Sequence, residues 1–208
     1  MRDNGSRAKI TVDGTDFPIN EPSPFNRKWK SHKFGHAGLR YEIGICIQTG
    51  WIVWVNGPYP AGQWMDLCIS RDGVNQAMEP GELFVADKTY KDQYGYSMTP
   101  TMRAGTRLGR MMAVARTRHE CINRYFKVFG AFRNRWRHHR KKHGIAFGAA
   151  ANLVQARIQL EGTAFEVFYQ DRLRRRLARH HERFLRRQER LMKKQLRRAR
   201  RKHKHHRK

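Results

Sequence analysis

Asp13, Asp87 and Glu120 are acids whose surroundings could let them act together. Asp13 sits near the end of ITVDGTDFPI, residues 10–19, where apolar and polar residues alternate before a Gly-Thr turn. Such alternation predicts a strand with one buried face. Asp87 closes ELFVAD, a short apolar run bounded by turn signals that predicts a second buried strand. If the two strands are neighbours, their carboxylates project from one edge of the sheet. They then repel, and one takes up a proton unless divalent cations remove the penalty. A helix packed across the strands can bring a third acid, and Glu120 in ARTRHECINRYFK is the natural choice. Arg116 and Lys127 fall within about 60° of it around a helix. One helix face then offers an acid to a metal and two bases to a phosphate. Each acid also has a plain structural reading, as a turn residue at a strand end or half of an i, i+4 salt bridge.

The elements that must position these acids follow in order. After the opening strand, residues 20–36 carry Pro22, Pro24 and the basic-aromatic run FNRKWKSHKFGH, whose Lys28, Lys30 and Lys33 suit a phosphate-wrapping loop. YEIGICIQ and WIVWVN, split by Thr49-Gly50, predict an antiparallel hairpin. Residues 61–78 read as a helix with Asp66 in its first turn, and ELFVAD as a fourth strand. Residues 91–105 read as a loop, and 106–137 and 146–160 as helices followed by FEVFY, a terminal strand or extended tail. Three strands, a helix, a strand and long helices make an α/β sandwich, in the order of the ribonuclease H-like fold: a mixed sheet flanked by helices.

The composition narrows the partners. The 208 residues carry a formal charge of +27. Residues 172–208 hold 19 Lys or Arg against Glu182 and Glu189, so this segment carries +17 and the rest +10. The division expected is a folded domain over 1–170 and a basic tail or long basic helix over 171–208. Both parts are basic, so polyanions are the expected partners. No run is long and apolar enough to span a bilayer, and no signal peptide opens the chain. Three scattered cysteines, Cys46, Cys68 and Cys121, point to a reducing compartment.

VDGTDFPI, KWKSHKFG ahead of a hairpin, GQWMD, FVADKTY and RTRHECINRYFK together resemble the successive blocks of the DDE endonuclease domain of Harbinger-type transposases, over roughly residues 8–170. The resemblance implies an RNase H-like fold and metal-dependent cleavage and strand transfer of DNA. It makes Asp13 the first catalytic acid and Glu120 the last. Asp87 is the middle acid ahead of Asp66, which matches another acidic position and is a further metal contact. Arg116 and Lys127 match the bases beside the catalytic Glu. Asp16 stands where many relatives have His, and Thr89 where Gly is frequent. Relatives usually carry an N-terminal DNA-binding region, whereas this chain begins just before the first catalytic strand. Either it is a fragment or it binds DNA by other means; the partners expected are DNA, an accessory DNA-binding protein and a second copy of the chain.

The chemistry implied uses Mg²⁺ or Mn²⁺, hard cations suited to carboxylate oxygens. Zinc is disfavoured: the pairs His139/His143 and His32/His36 have no cysteine partners at usual spacing, and His138 with them lies in a basic run. In the tail, Leu173, Leu177, Phe184 and Leu191 allow an amphipathic helix, while RRARRKHKHHRK reads as a nuclear import signal or a phosphate-binding extension. The competing reading is a catalytically silent nucleic-acid-binding protein derived from a transposase. A ribosomal-type RNA-binding protein fits the charge but leaves the ordered acids unexplained.

Overall fold

The structure, a computed structural model, describes residues 7–91, 95–99, 105–164, 166 and 167, with Arg186, Arg190 and Lys193 as single positions. The chain divides into two compact units, Met1–Val167 and Phe168–Lys208. The amphipathic pattern from Leu173 to Leu191 and most of FEVFY lie outside the described residues.

Within the first unit, strands β1 (Ala8–Pro18), β2 (Gly38–Cys46) and β3 (Ile52–Pro60) form an antiparallel meander. After two short helices, α1 (Asp66–Asp72) and α2 (Val74–Ala77), strand β4 (Leu83–Val85) returns parallel to β1. The two-residue β5 (Ser97–Met98) pairs with β4, giving the order β3-β2-β1-β4-β5. Helices α3 (Arg107–Val128), α4 (Gly130–Arg133) and α5 (Arg140–Glu161) complete the unit.

β1 lies in the middle of the sheet, so both of its faces are covered, not one as its alternation suggests. Side chains on a strand alternate between faces. Phe17 therefore packs with Phe132 and Phe147 on the α3–α5 side, while Val12 joins Val74, Phe84 and Tyr90 on the other. The polar members of the alternation, Thr11, Thr15 and Asp16, are buried too. Burial of polar atoms is costly without partners, and those partners shape the site described below.

Four expected boundaries shift. The helix foreseen over 61–78 begins only at Asp66 and breaks at Gly73. The long helix over 106–137 stops at Val128. Phe132 turns into the core, and Trp136 joins the end of β1 through its amide to Pro18 O at 2.9 Å. α5 starts at Arg140, before residue 146, with His139 Nδ1 accepting from Lys141 N. The predicted 91–105 loop contributes β5.

His143, fully buried beneath Tyr41, shows how α5 is tied down. The Tyr41 hydroxyl meets His143 Nδ1 at 2.7 Å and the two rings stack, while Phe17, Phe132 and Trp136 pack tilted or edge-on against the imidazole. Burial lowers its pKa to about 4; burial, reinforced by Arg116 and Arg118, lowers that of His119 to about 3. Both stay neutral in the fold but protonate in the unfolded chain below about 6.5. Stability is therefore intact above that pH and falls as pH drops toward 4, by at most about 1.4 kcal/mol per pH unit for each histidine. His143→Gln, which keeps a partner for Tyr41, is expected to flatten the decline in unfolding free energy between pH 6.5 and 4. An unchanged slope in urea titrations contradicts this.

Candidate active site

The site begins where β1 and β4 part. β4 pairs with β1 at Ala8–Leu83, Ile10–Phe84 and Thr11–Val85 and then ends. Continued by two residues, that register brings Asp87 level with Asp13. Past Thr11 the β4-facing edge of β1 is open, and loops and helices fill the fork.

Asp87 sits at the mouth of the fork as the cap of a short 3-10 turn over Lys88–Tyr90. Its Oδ1 accepts from Thr89 N at 2.8 Å and from the Thr89 hydroxyl. Asp13 is half-buried, and its Oδ2 accepts from Asn123 Nδ2 of α3 at 2.9 Å. Burial first, then the fields of Asp66 and Asp87, push the Asp13 carboxyl up to about 6, against the lowering pull of Lys33 and Arg116. Asp13, Asp66 and Asp87 thus feel one another through a poorly solvated space, as expected of crowded carboxylates.

Asp66 enters from the opposite face of the sheet. A Cβ at position 14 would collide with its Oδ1, so any larger residue there forces the Asp66 carboxylate to shift. Arg40 Nη1 lies 3.2 Å from that oxygen, an ion pair without hydrogen-bond alignment. Burial raises the Asp66 carboxyl, with Arg40 and Lys33 opposing. Glu42, directly across from Gly14 on β2, and the Tyr90 hydroxyl share this neighbourhood. Both residues are only 1 % exposed. Glu42 accepts from Trp54 Nε1 at 2.9 Å, and burial pushes it up to about 7. Glu42 Oε1 and the Tyr90 OH have no hydrogen-bond partner among the described residues.

Arg40 itself is committed elsewhere. Its Nε and Nη2 form a two-pronged contact with Asp16, at 2.7 and 2.9 Å, and the Ser31 hydroxyl donates to the same carboxylate. Burial alone would raise Asp16; the hydrogen bonds from Arg40 and Ser31 outweigh it and hold the carboxyl below the usual range. This buried network fastens loop 20–36 to the sheet and delivers Lys33, whose ammonium donates to Gly14 O beside Asp13.

α3 supplies the roof. His119 Nδ1 meets the Thr11 hydroxyl at 2.8 Å, and Arg118 Nη2 reaches Cys46 O and Ile47 O at the end of β2. At 100° per residue, these contacts turn Arg116, Glu120, Asn123 and Lys127 to the opposite flank, which is the β4 side of β1. The Glu120 side chain is exposed there, one turn before Asn123. The fork therefore gathers Asp13, Asp87 and Asp66, with Lys33 and Arg116 in their field. Glu120 and Lys127 lie on the adjoining helix flank in solvent. Lys28 and Lys30 are exposed farther along the loop. Among the described residues, no three Asp, Glu, His or Cys side chains are drawn together tightly enough to hold an ion.

Asn123, Arg40 and Tyr90 are absent from the sequence reading, in which Asp16 figures only as a departure from the family pattern. The spacing Glu120-x-x-Asn123 gave the one usable signal for them, since it places both on one helix face. Arg40→Met leaves Asp16 buried without its cation and is expected to destabilise the fold by about 3–5 kcal/mol, measured by chemical denaturation. A loss below 1 kcal/mol contradicts the role given to this network.

The donor set suits a hard divalent cation. All candidate ligands are carboxylate oxygens, burial and then the neighbouring acids raise the Asp13 carboxyl, and Asp66 Oδ1 has no aligned hydrogen-bond donor among the described residues. Compared with known proteins, the chain matches no curated protein and no solved structure. A family model described as DDE superfamily endonuclease matches residues 12–160, a span that runs from within β1 through nearly all of α5 and takes in every acid of the fork. The mixed five-stranded sheet with flanking helices is consistent with a DDE nuclease fold. By that match over more than half its length, this chain belongs to the DDE superfamily endonucleases.

Proposed function

We propose that this chain is the catalytic domain of a transposase-type DNA endonuclease of the Harbinger kind, built on an RNase H-like fold and dependent on Mg²⁺ or Mn²⁺. What supports the reading is that the β1–β4 register, continued two residues past its last pair, sets Asp87 level with Asp13, while Asn123 of α3 donates to Asp13. Asp13, Asp87 and Glu120 would hold the cations, with Asp66 as a further contact. Bound there, divalent ions polarise the scissile phosphate, lower the pKa of an attacking water and stabilise the leaving oxygen.

The chain's own residues do the rest. Asn123 holds one Asp13 oxygen and thereby fixes the direction of the other. Lys33, Arg116 and Lys127 offset the charge of the phosphates that flank the cut. Water attacks phosphorus and the ester bond to the 3′ oxygen breaks, leaving a 3′-hydroxyl and a 5′-phosphate. In strand transfer that 3′-hydroxyl attacks a phosphate of a second duplex, so each bond broken is matched by one formed. A nuclear location accords with the basic tail, and an accessory DNA-binding protein or a second copy would supply site selection.

A second reading, a silent nucleic-acid-binding descendant of a transposase, is favoured by two features. Lys33 and Arg40 already neutralise part of the acidic charge, and Glu120 stands apart in solvent. Nicking of supercoiled plasmid with Mn²⁺ separates the two. The enzyme reading expects cleavage that Asp13→Asn and Glu120→Gln reduce to background. Asn123→Ala, which removes the group orienting Asp13, is expected to slow it about 10–100-fold. Nicking that survives both acid substitutions unchanged rejects the assignment.

A further inference from the structure

Two basic segments far apart in sequence are locked together beside the β1 terminus, and the proposed chemistry leaves one of them without a task. The first is the loop around the 3-10 turn Arg27–Trp29. Asn26 caps Lys28 N, Lys28 O receives Gly62 N, and Ser31 is anchored to Asp16. The second is the α4–α5 junction, residues 133–142, which holds six Lys or Arg, all exposed. Trp136 fastens the junction to the sheet: its amide donates to Pro18 O, its carbonyl receives Asn20 N at 3.0 Å, and Ile19 bridges to it in parallel. The Arg140 guanidinium lies over the Trp29 ring at 4.6 Å and joins the two segments directly.

Charge on this surface is unopposed along the sequence. No Asp or Glu occurs between Glu120 and Glu161, and none between Glu21 and Glu42. Holding so many like charges on a fixed scaffold costs self-repulsion, which a polyanion relieves. The surface is also continuous with the fork. Lys33 donates to Gly14 O beside Asp13, and six residue steps lead from Asp13 to the Ile19–Trp136 bridge, about 20 Å at the usual strand rise. One nucleic-acid strand advances about 3.4 Å per step, so the distance matches about six base pairs.

We infer that the Trp29–Arg140 ridge is a phosphate track for duplex DNA, seating about six base pairs on one side of the fork. The inference rests on the DNA-acting reading of that site but concerns binding alone. Lys28 and Lys30 contact one strand, and Arg135, Arg137, Lys141 and Lys142 follow the backbone away from the cut. These contacts position the duplex without reading its sequence.

Lysine acetylation footprinting of the full chain tests the assignment residue by residue, so binding by the basic tail does not mask it. The probe is a 20-base-pair duplex in EDTA, where no cleavage occurs. Lys28, Lys30, Lys141 and Lys142 are expected to lose at least threefold in labelling rate, and Lys9, at the far end of β1, is not. A duplex of four base pairs should protect Lys141 and Lys142 markedly less. Asp13→Asn should give the same footprint, so failure of the nuclease reading leaves this result intact. Labelling of Lys141 and Lys142 unchanged by the duplex overturns the track. Equal protection by single-stranded RNA overturns its assignment to duplex DNA.

Discussion

Crowding of like charge in a poorly solvated place governs this structure. Asp13 lies in the field of Asp66 and Asp87 near the end of a parallel strand pairing, where backbone partners run out and burial thins the solvent around the first two. In a medium of low effective dielectric such a group does not stay fully ionised without compensation. The fold supplies some through Lys33 and Arg40, each brought in by a separate element. The remaining negative charge is what a divalent ion and a phosphate would share.

Much of the surrounding fold answers to that need. Asp16 and Arg40 form a buried pair that contributes little net stability by itself. Its value here is positional: it ties loop 20–36 to the central strands and so places Lys33. Gly14 leaves room for Asp66 to approach from the far face. The aromatic cluster of Phe17, Phe126, Phe132 and Phe147 presses α3 and α5 onto the sheet and sets the rotation that puts Asn123 over Asp13.

The sequence made the strands and their acids legible because strand periodicity and turn signals are local. ITVDGTDFPI, the hairpin and ELFVAD all appear as strands, and Asp66 does open a helix. The helix expected over 106–137 ends early because Phe132 and Trp136 are each drawn to a tertiary partner that no local rule reveals. Arg40, Tyr90 and Asn123 stayed hidden for the same reason. Their parts depend on which residue lies across the strand or under the helix, and pairing at a separation of about a hundred residues leaves no local trace. Glu120 lies on α3 one turn before Asn123, with its carboxylate in solvent.

Anomalous diffraction from crystals soaked in Mn²⁺ tests the central claim most directly. The account predicts density bonded to both Asp13 and Asp87, with Glu120 turned in from the α3 flank and Lys33 displaced from Gly14 O. An ion bound elsewhere, or a fork in which Lys33 keeps its place and no manganese enters at saturating concentration, contradicts it.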